Sequence, residues 1–166
     1  MKRLMLMAWM CLGAVACGSS DEETEPETPD SLHKGTVSGS VEGMSFGEVE
    51  AAWTRSAREY ILMGEKLVGD AECLDPRAAP AILSIAFNGG LRAGTHAVVG
   101  FSEAERTNGT YVSVESASVD AFATGGTVTV TKDGARWTGS FTVEFEGERL
   151  TGTFETEGPA LTALCP

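Results

Sequence analysis

The chain has 166 residues, enough for one globular domain, and 24 acidic against 12 basic residues give it a formal net charge of −12. This charge disfavours nucleic acid as a partner, because phosphate binding requires clustered lysine and arginine. Such acidity keeps a chain soluble but does not by itself identify a ligand.

The first residues have the pattern of an export signal. Lys2 and Arg3 precede an apolar run, Leu4 to Ala16, which at 13 residues is too short to span a bilayer as a helix. We therefore expect residues 1–16 to be removed as a signal peptide. An ordinary secretory signal cut elsewhere is the alternative, and both interpretations predict export.

The end of this run, Ala14-Val15-Ala16-Cys17, resembles the lipobox of bacterial lipoproteins. The resemblance implies cleavage before Cys17 and acylation of its thiol, and two or more acyl chains make anchorage in a membrane stable. Gly18 follows the cysteine in place of the aspartate that retains some lipoproteins in the inner membrane. The expected location is thus the bacterial envelope, at the outer membrane, on its periplasmic face or the cell surface.

Residues 17–34 are predicted to form the lipidated cysteine and a disordered tether. The segment is rich in serine, aspartate, glutamate and proline and contains almost nothing to bury. An extended tether of this length reaches about 50 Å at roughly 3 Å per residue. A single β-domain is expected to occupy residues 35–166.

Cys73 and Cys165 are the two cysteines outside the export signal. In an oxidising compartment such a pair is expected to form a disulfide, and two free thiols are the alternative. Zinc is disfavoured because a site needs four ligands, and the chain otherwise offers only His33, in the tether, and His96.

Several segments upstream of residue 125 are predicted to be strands, because β-prone runs alternate with turn signals such as Asn88-Gly89-Gly90. Residues 46–63 fit either a helical or a strand period, and we favour two strands with a turn near Arg55 to Arg58. The other predicted strands are Thr36 to Val41, Ala81 to Phe87, His96 to Phe101 and Thr110 to Val114.

From Gly126 onward, apolar residues alternate with threonine and other polar residues, which is typical of antiparallel strands with one wet face. The Asp133-Gly134 pair predicts a two-residue turn that places Val130 opposite Trp137. The expected inward residues are Val128, Val130, Trp137, Gly139, Phe141, Val143, Phe145, Leu150, Gly152 and Phe154.

Inward glycines recur every 13 residues in this region, at Gly126, Gly139 and Gly152. With a second two-residue turn at Gly147-Glu148, Phe141 is predicted to face Gly126 on one side and Phe154 on the other. Glycines beside aromatic rings let a sheet bend sharply. The predicted fold is all-β, a single antiparallel β-barrel or strongly curved β-sandwich with a C-terminal three-strand meander.

The sequence contains few residues that are candidates for a catalytic role. His96 lies in a predicted strand, the chain contains no Gly-x-Ser-x-Gly segment, and no glycine-rich loop leads from a strand into a helix to hold phosphate. A structural or surface role is therefore expected for His96. Three acids, Asp70, Glu72 and Asp75, form a weak Ca²⁺ candidate for which a solvated loop is the simpler interpretation. We expect no enzymatic activity and no cofactor.

Residues 35–166 also look like the β-rich domains of unknown function found in bacterial lipoproteins, with an early Gly-Thr-Val strand, a mid-chain cysteine, and Gly-Ser-Phe and Gly-Thr-Phe segments before a terminal cysteine. This resemblance supports a bridge between Cys73 and Cys165 and implies no catalytic residue. The leading hypothesis is a lipid-anchored envelope protein that binds another protein or a cell-surface component, or serves structurally.

A small-molecule carrier of lipocalin-like type is the second hypothesis, and an enzyme is a distant third. A carrier would enclose a cavity lined by Trp137, Phe141, Phe145 and Phe154. The simpler interpretation is that these residues fill the core, because inward aromatics in small barrels usually pack against each other.

Peptide mapping of the exported protein without reductant should recover Cys73 joined to Cys165. In the chain-entropy model such a bridge stabilises the domain by about 4–5 kcal/mol, so the reduced protein should unfold at lower denaturant concentration. Two thiols that alkylate freely in the native protein would contradict the bridge.

Overall fold

The computed structural model describes residues 33–55, 58–65, 67 and 81–161, without the side chains of 159–161. Within these ranges nearly every element is a strand. In chain order they are β1 (Lys34–Val41), β2 (Met44–Arg55), β3 (Glu59–Gly64), β4 (Ile82–Phe87), β5 (Gly94–Val98), α1 (Phe101–Thr107), β6 (Thr110–Glu115), β7 (Asp120–Phe122), β8 (Gly125–Asp133), β9 (Arg136–Glu144), β10 (Arg149–Glu157) and β11 (Pro159–Leu161).

Nine of these strands form a closed barrel. The hydrogen-bonded order is β1-β10-β9-β8-β5-β6-β4-β3-β2, and β2 pairs back onto β1. Eight junctions of the ring are antiparallel, whereas β5 and β6 run parallel because α1 connects them. Outside the ring, β7 pairs with β6 and β11 pairs with the end of β2. The predicted all-β barrel is confirmed.

Apolar side chains from all nine ring strands meet in one core inside the barrel. On β4 the outer face is buried too, because Leu67 packs over Ile82 and Ala104 of α1 packs over Ala86. The barrel wall is thus buried on both of its faces at β4.

The C-terminal meander is confirmed, and its inward face is the one that the alternation predicts, but both turns are displaced. Gly134 and Ala135 form the first loop, with Gly134 at φ +58°, so Val130 faces Gly139 and not Trp137. Glycine at the first loop position is typical of a type II′ turn. Because the pairing shifts by two residues, every side chain keeps its predicted face.

The second connection is a four-residue loop, 145–148, and not the predicted two-residue turn. The Phe145 N–H donates to the Glu148 carbonyl at 2.9 Å, and Phe145 itself is buried in the core. Phe141 consequently faces Gly152 and Val128, where the sequence predicted Phe154 and Gly126. Both registers bury Phe145, and the observed loop is held by its backbone hydrogen bond together with the one that the Glu148 carboxylate accepts from the Glu42 N–H.

Two of the three repeat glycines, Gly139 and Gly152, lie under aromatic rings, whereas the prediction is wrong for Gly126, where a Cβ would meet the backbone of Thr142 and Val143. A Cβ at Gly139 would lie 2.6 Å from Cε1 of Phe154 and 2.5 Å from the Thr129 carbonyl oxygen. A Cβ at Gly152 would lie 2.5 Å from Cζ of Phe141. The rings therefore occupy the space that glycine leaves, and the wall bends tightly around them.

Upstream, the two strands predicted for residues 46–63 are present as β2 and β3. The predicted strand from His96 to Phe101 is wrong at its end, because β5 stops at Val98 and Phe101 begins α1. Asn108, in the left-handed region at φ 54°, ends this helix, and its N–H donates to the Ala104 carbonyl. The chain can then start β6 parallel to β5.

Substituting Gly139→Ala should destabilise the barrel by about 1–3 kcal/mol, because the new methyl group would overlap a phenyl ring and a backbone oxygen that cannot both move away. Urea unfolding followed by tryptophan fluorescence measures the change. Gly125→Ala is the matched control, since nothing lies within 4 Å of its Cβ position. Equal unfolding midpoints for the two variants would contradict this account of the curvature.

Candidate functional site

Several of the predicted site residues lie outside the described residues. They are Cys17, proposed for lipidation, the cysteines Cys73 and Cys165, and the acidic residues Asp70, Glu72 and Asp75. Their predicted roles remain predictions.

The four aromatic residues considered as a cavity lining are buried side chains of the barrel core. Trp137, Phe141, Phe145 and Phe154 are between 2 and 5 % exposed and belong to the same packed cluster. Phe141 and Phe154 cover glycines of neighbouring strands. Their contacts are therefore those of side chains that fill an interior.

His96 points toward the interior, since it pairs with the inward residue Val128. Its Nε2 atom lies 2.8 Å from the Arg92 carbonyl oxygen, and its ring packs edge-on against Phe87 with 5.1 Å between centroids. These contacts hold β5 against the loop before it and give the histidine a structural role.

The two ends of the barrel differ. At the near end, where β1 begins, the rings of Trp53 and Trp137 lie 6.1 Å apart, and the Lys132 ammonium lies 4.7 Å from the Trp137 ring centroid. His33, which the sequence places in the tether, hydrogen-bonds through Nδ1 to the Thr156 hydroxyl at 3.1 Å. Two indole rings and this hydrogen bond therefore lie at the near end.

At the far end, where β1 turns into β2, a pocket of about 450 Å³ opens. Its apolar floor consists of Val41, Ala121, Phe122 and Phe145. Its other lining residues are Glu42, Asp120, Thr124, Glu146 and Glu148.

One carboxylate joins the two turns that build this far-end pocket. Glu148 accepts hydrogen bonds from the Glu42 backbone N–H at 2.7 Å and from the Ser40 hydroxyl at 3.3 Å. Glu42 has a φ of 49°, which is the left-handed conformation that the two-residue turn Glu42-Gly43 requires. The loop 145–148 is thereby fixed against the β1–β2 turn.

The charge around the far-end pocket is negative. Four carboxylates line it, and none of the described residues in its lining is a lysine, arginine or histidine. Within the described part of the chain, the ion pairs lie elsewhere, at Arg55–Glu59, Arg58–Glu105 and Arg136–Glu155. The pocket therefore presents uncompensated negative charge above an apolar floor.

Beside the far-end pocket, three aromatic rings form a patch on the outer wall, which we call the aromatic patch: Phe101, Tyr111 and Phe122. The Phe101 ring centroid lies 5.0 Å from each of the other two. Phe101 and Phe122 are each 38 % exposed and are the large hydrophobic residues left at the surface of the described chain. Phe122 belongs to both the patch and the pocket.

The parallel crossover creates the aromatic patch. In the β5–β6 ladder only Val98 and Thr110 pair, and β7 occupies the rest of the β6 edge by pairing Phe122 with Ser113. This brings Phe101 of α1 and Phe122 of β7 to either side of Tyr111. The Tyr111 hydroxyl accepts a hydrogen bond from the Arg58 guanidinium at 3.2 Å.

A second and larger cavity, about 620 Å³, is a groove on the outer wall over β2, β1, β10 and β9. Its lining is mostly threonine and glutamate with one base, Lys34. At Glu65 the groove borders a stretch of which only Leu67 is described before residue 81. We therefore base the functional argument on the far-end pocket and the aromatic patch.

The ranges that the structure describes contain neither a metal-ligand group nor a membrane-spanning helix. No three His, Cys, Asp or Glu residues in these ranges are grouped so that they could hold a metal ion. None of their helices has the length and apolarity needed to cross a bilayer.

Comparison with known proteins gave no relatives: no protein-family model, no characterised protein and no solved structure matches the chain significantly.

Sequence reasoning missed the aromatic patch and the far-end pocket. Phe101 was assigned to the end of a strand, and β7 was not predicted at all. The available signal was weak: Phe101 follows Val98 and Val99 and so resembles the end of a strand, and Phe122 lies alone between Ala121 and Ala123. Isolated apolar residues of this kind are common on protein surfaces, so only the fold shows that two of them meet.

Burial raises the pKa of the Tyr111 phenol to about 12, with a further contribution from nearby Tyr60. Because an unfolded tyrosine ionises near pH 10 whereas folded Tyr111 keeps its proton, the free energy of unfolding should fall as the pH rises from about 10 to 12. Absorbance at the tyrosinate band after a rapid pH jump should show one late ionisation that Tyr111→Phe removes. Loss of the Tyr111 proton by pH 10.5 in the folded protein would contradict this environment.

Proposed function

We propose that the chain is a lipid-anchored protein of the bacterial envelope that binds another protein through the outer surface of its barrel. The observation that carries the binding role is the aromatic patch, in which two 38 %-exposed phenylalanines lie in mutual contact beside a pocket. Exposed apolar residues that cluster in this way mark interaction surfaces more often than scattered ones do.

The anchor is proposed from the N-terminal pattern alone. The charged and apolar segment before Cys17 and the acidic stretch after it are typical of an exported and tethered chain. A tether of about 50 Å would hold the barrel clear of the bilayer surface.

A carrier function has less support. The interior residues of all nine ring strands pack in one cluster, and the four aromatic side chains that would line a ligand cavity are buried within it. The far-end pocket and the wall groove are both formed at the surface of the barrel. Binding at the outside is therefore the function that the geometry favours.

The anchor predicts that Cys17→Ser abolishes incorporation of a labelled fatty acid, because the thiol that receives the acyl group is removed. Cys11→Ser is the matched control, because it changes a cysteine of the same segment and should leave incorporation of the label unaltered. A Cys17→Ser protein that still incorporates the label would contradict lipidation at this residue.

Binding through the aromatic patch is tested by photo-crosslinking in the native host. A photoreactive phenylalanine analogue at position 101 or 122 should give a discrete adduct of protein size. The same analogue at Thr131, exposed on the outer wall of β8, is the control and should give none. Equal adducts from all three positions, or none from 101 and 122, would contradict the binding role of the patch.

A further inference from the structure

We propose that the far-end pocket and the adjoining aromatic patch together receive a segment of a partner protein that carries lysine or arginine beside apolar side chains. The inference rests on the proposed binding function and adds the chemistry of the partner. Its basis is the combination of a cavity, an exposed aromatic surface continuous with it, and charge of one sign around the rim.

The cavity has room for a few side chains. Pockets that bind ligands usually enclose about 300–1,000 Å³, and the far-end pocket has about 450 Å³. Of its apolar lining residues, Val41 and Phe145 are 1 and 5 % exposed, whereas Phe122 is 38 % exposed. Apolar atoms of a bound segment would therefore lose water against this floor.

The negative charge of the pocket rim favours a cationic side chain of the partner. Asp120, Glu42 and Glu146 add their charges to that of Glu148, and the part of the lining that the structure describes contains no basic side chain. A lysine or arginine can lay its aliphatic stem along an apolar floor and keep its charged group among carboxylates. An arginine could also stack on the exposed Phe122 ring.

A macromolecular segment fits the surface better than a small cation does. From the pocket the apolar surface continues past Phe122 to Phe101, on the outer wall. A small molecule that filled the pocket would leave the Phe101 ring uncovered. A peptide segment can cover both parts at once.

Charge also argues against other occupants. The acidic residues that precede His33 would be repelled by the rim, and they join the barrel at its near end. A second copy of the chain, with its own net charge of −12, is disfavoured for the same reason.

The placement of the far-end pocket agrees with a partner outside the anchoring membrane. β1 runs the length of the barrel wall, from Lys34 at the near end to the turn at Glu42, a path of about 25 Å at roughly 3.3 Å per residue. If the tether holds the near end toward the membrane, the far-end pocket points away from it.

The test measures binding of a fluorescent 12-residue peptide of alternating lysine and leucine to the exported Cys17→Ser full-length chain by anisotropy. Asp120→Asn with Glu146→Gln should weaken binding about fivefold at low salt, because each rim contact is a partly exposed ion pair. The matched control, Asp133→Asn with Glu157→Gln, removes the same charge at the near end and should change affinity less than twofold.

Two further probes define the partner chemistry. A peptide with glutamine in place of leucine should bind more weakly than the lysine–leucine peptide, and Phe122→Ser should reduce that difference. Dodecyltrimethylammonium, used below its micellar concentration, represents a small cationic amphiphile. If it displaces the peptide and leaves Phe101 accessible to quencher, the proposed protein segment is wrong.

The outcomes separate this inference from the proposed function. Equal weakening by the rim and control variants would show general attraction to an acidic protein and overturn the site. Absence of peptide binding, with host crosslinks from positions 101 and 122 intact, would overturn the basic partner alone. Absence of those crosslinks would remove the binding function itself.

Discussion

Closure of the wall is the constraint on which the rest of this structure depends. A ring of nine strands has no free edge in its main circuit, but a small ring must bend sharply, and inward side chains crowd where it bends. The chain meets both demands with glycines under phenyl rings, as at Gly139 beneath Phe154 and Gly152 beneath Phe141. The same side chains that allow curvature thus also fill the interior.

Ring closure also determines where the surface features lie. The β5–β6 junction is parallel, so a helix must carry the chain from one end of the wall to the other, and the short ladder there leaves room for β7. Phe101 and Phe122 come from these two auxiliary elements and not from the ring itself. The candidate interaction surface is therefore a product of the least regular part of the barrel wall.

The sequence predicted the meander and its inward face because two-residue periodicity is a local property that the side chains carry themselves. It could not predict the hairpin registers, since a shift of two residues preserves that periodicity, and the observed loop is held by contacts distant in sequence, such as that of the Glu148 carboxylate with the Glu42 N–H. The aromatic patch and the far-end pocket could not be predicted from the sequence for a different reason. The pocket joins residues, such as Val41 and Phe122, that only closure of the ring brings together, and the patch depends on the parallel crossover through α1.

The pairing of β1 with β10 has a consequence for how the protein reaches its folded state. His33 and Thr156, which hydrogen-bond at the near end, are separated by 123 residues of sequence. The pairing of β1 with β10 therefore requires two segments from opposite ends of the described chain to meet. Contacts of such long range form slowly, since the loop that they close carries a large entropic cost. A chain that cannot complete its ring until β10 has formed therefore keeps one edge of β1 open through most of its folding, and closes the wall late.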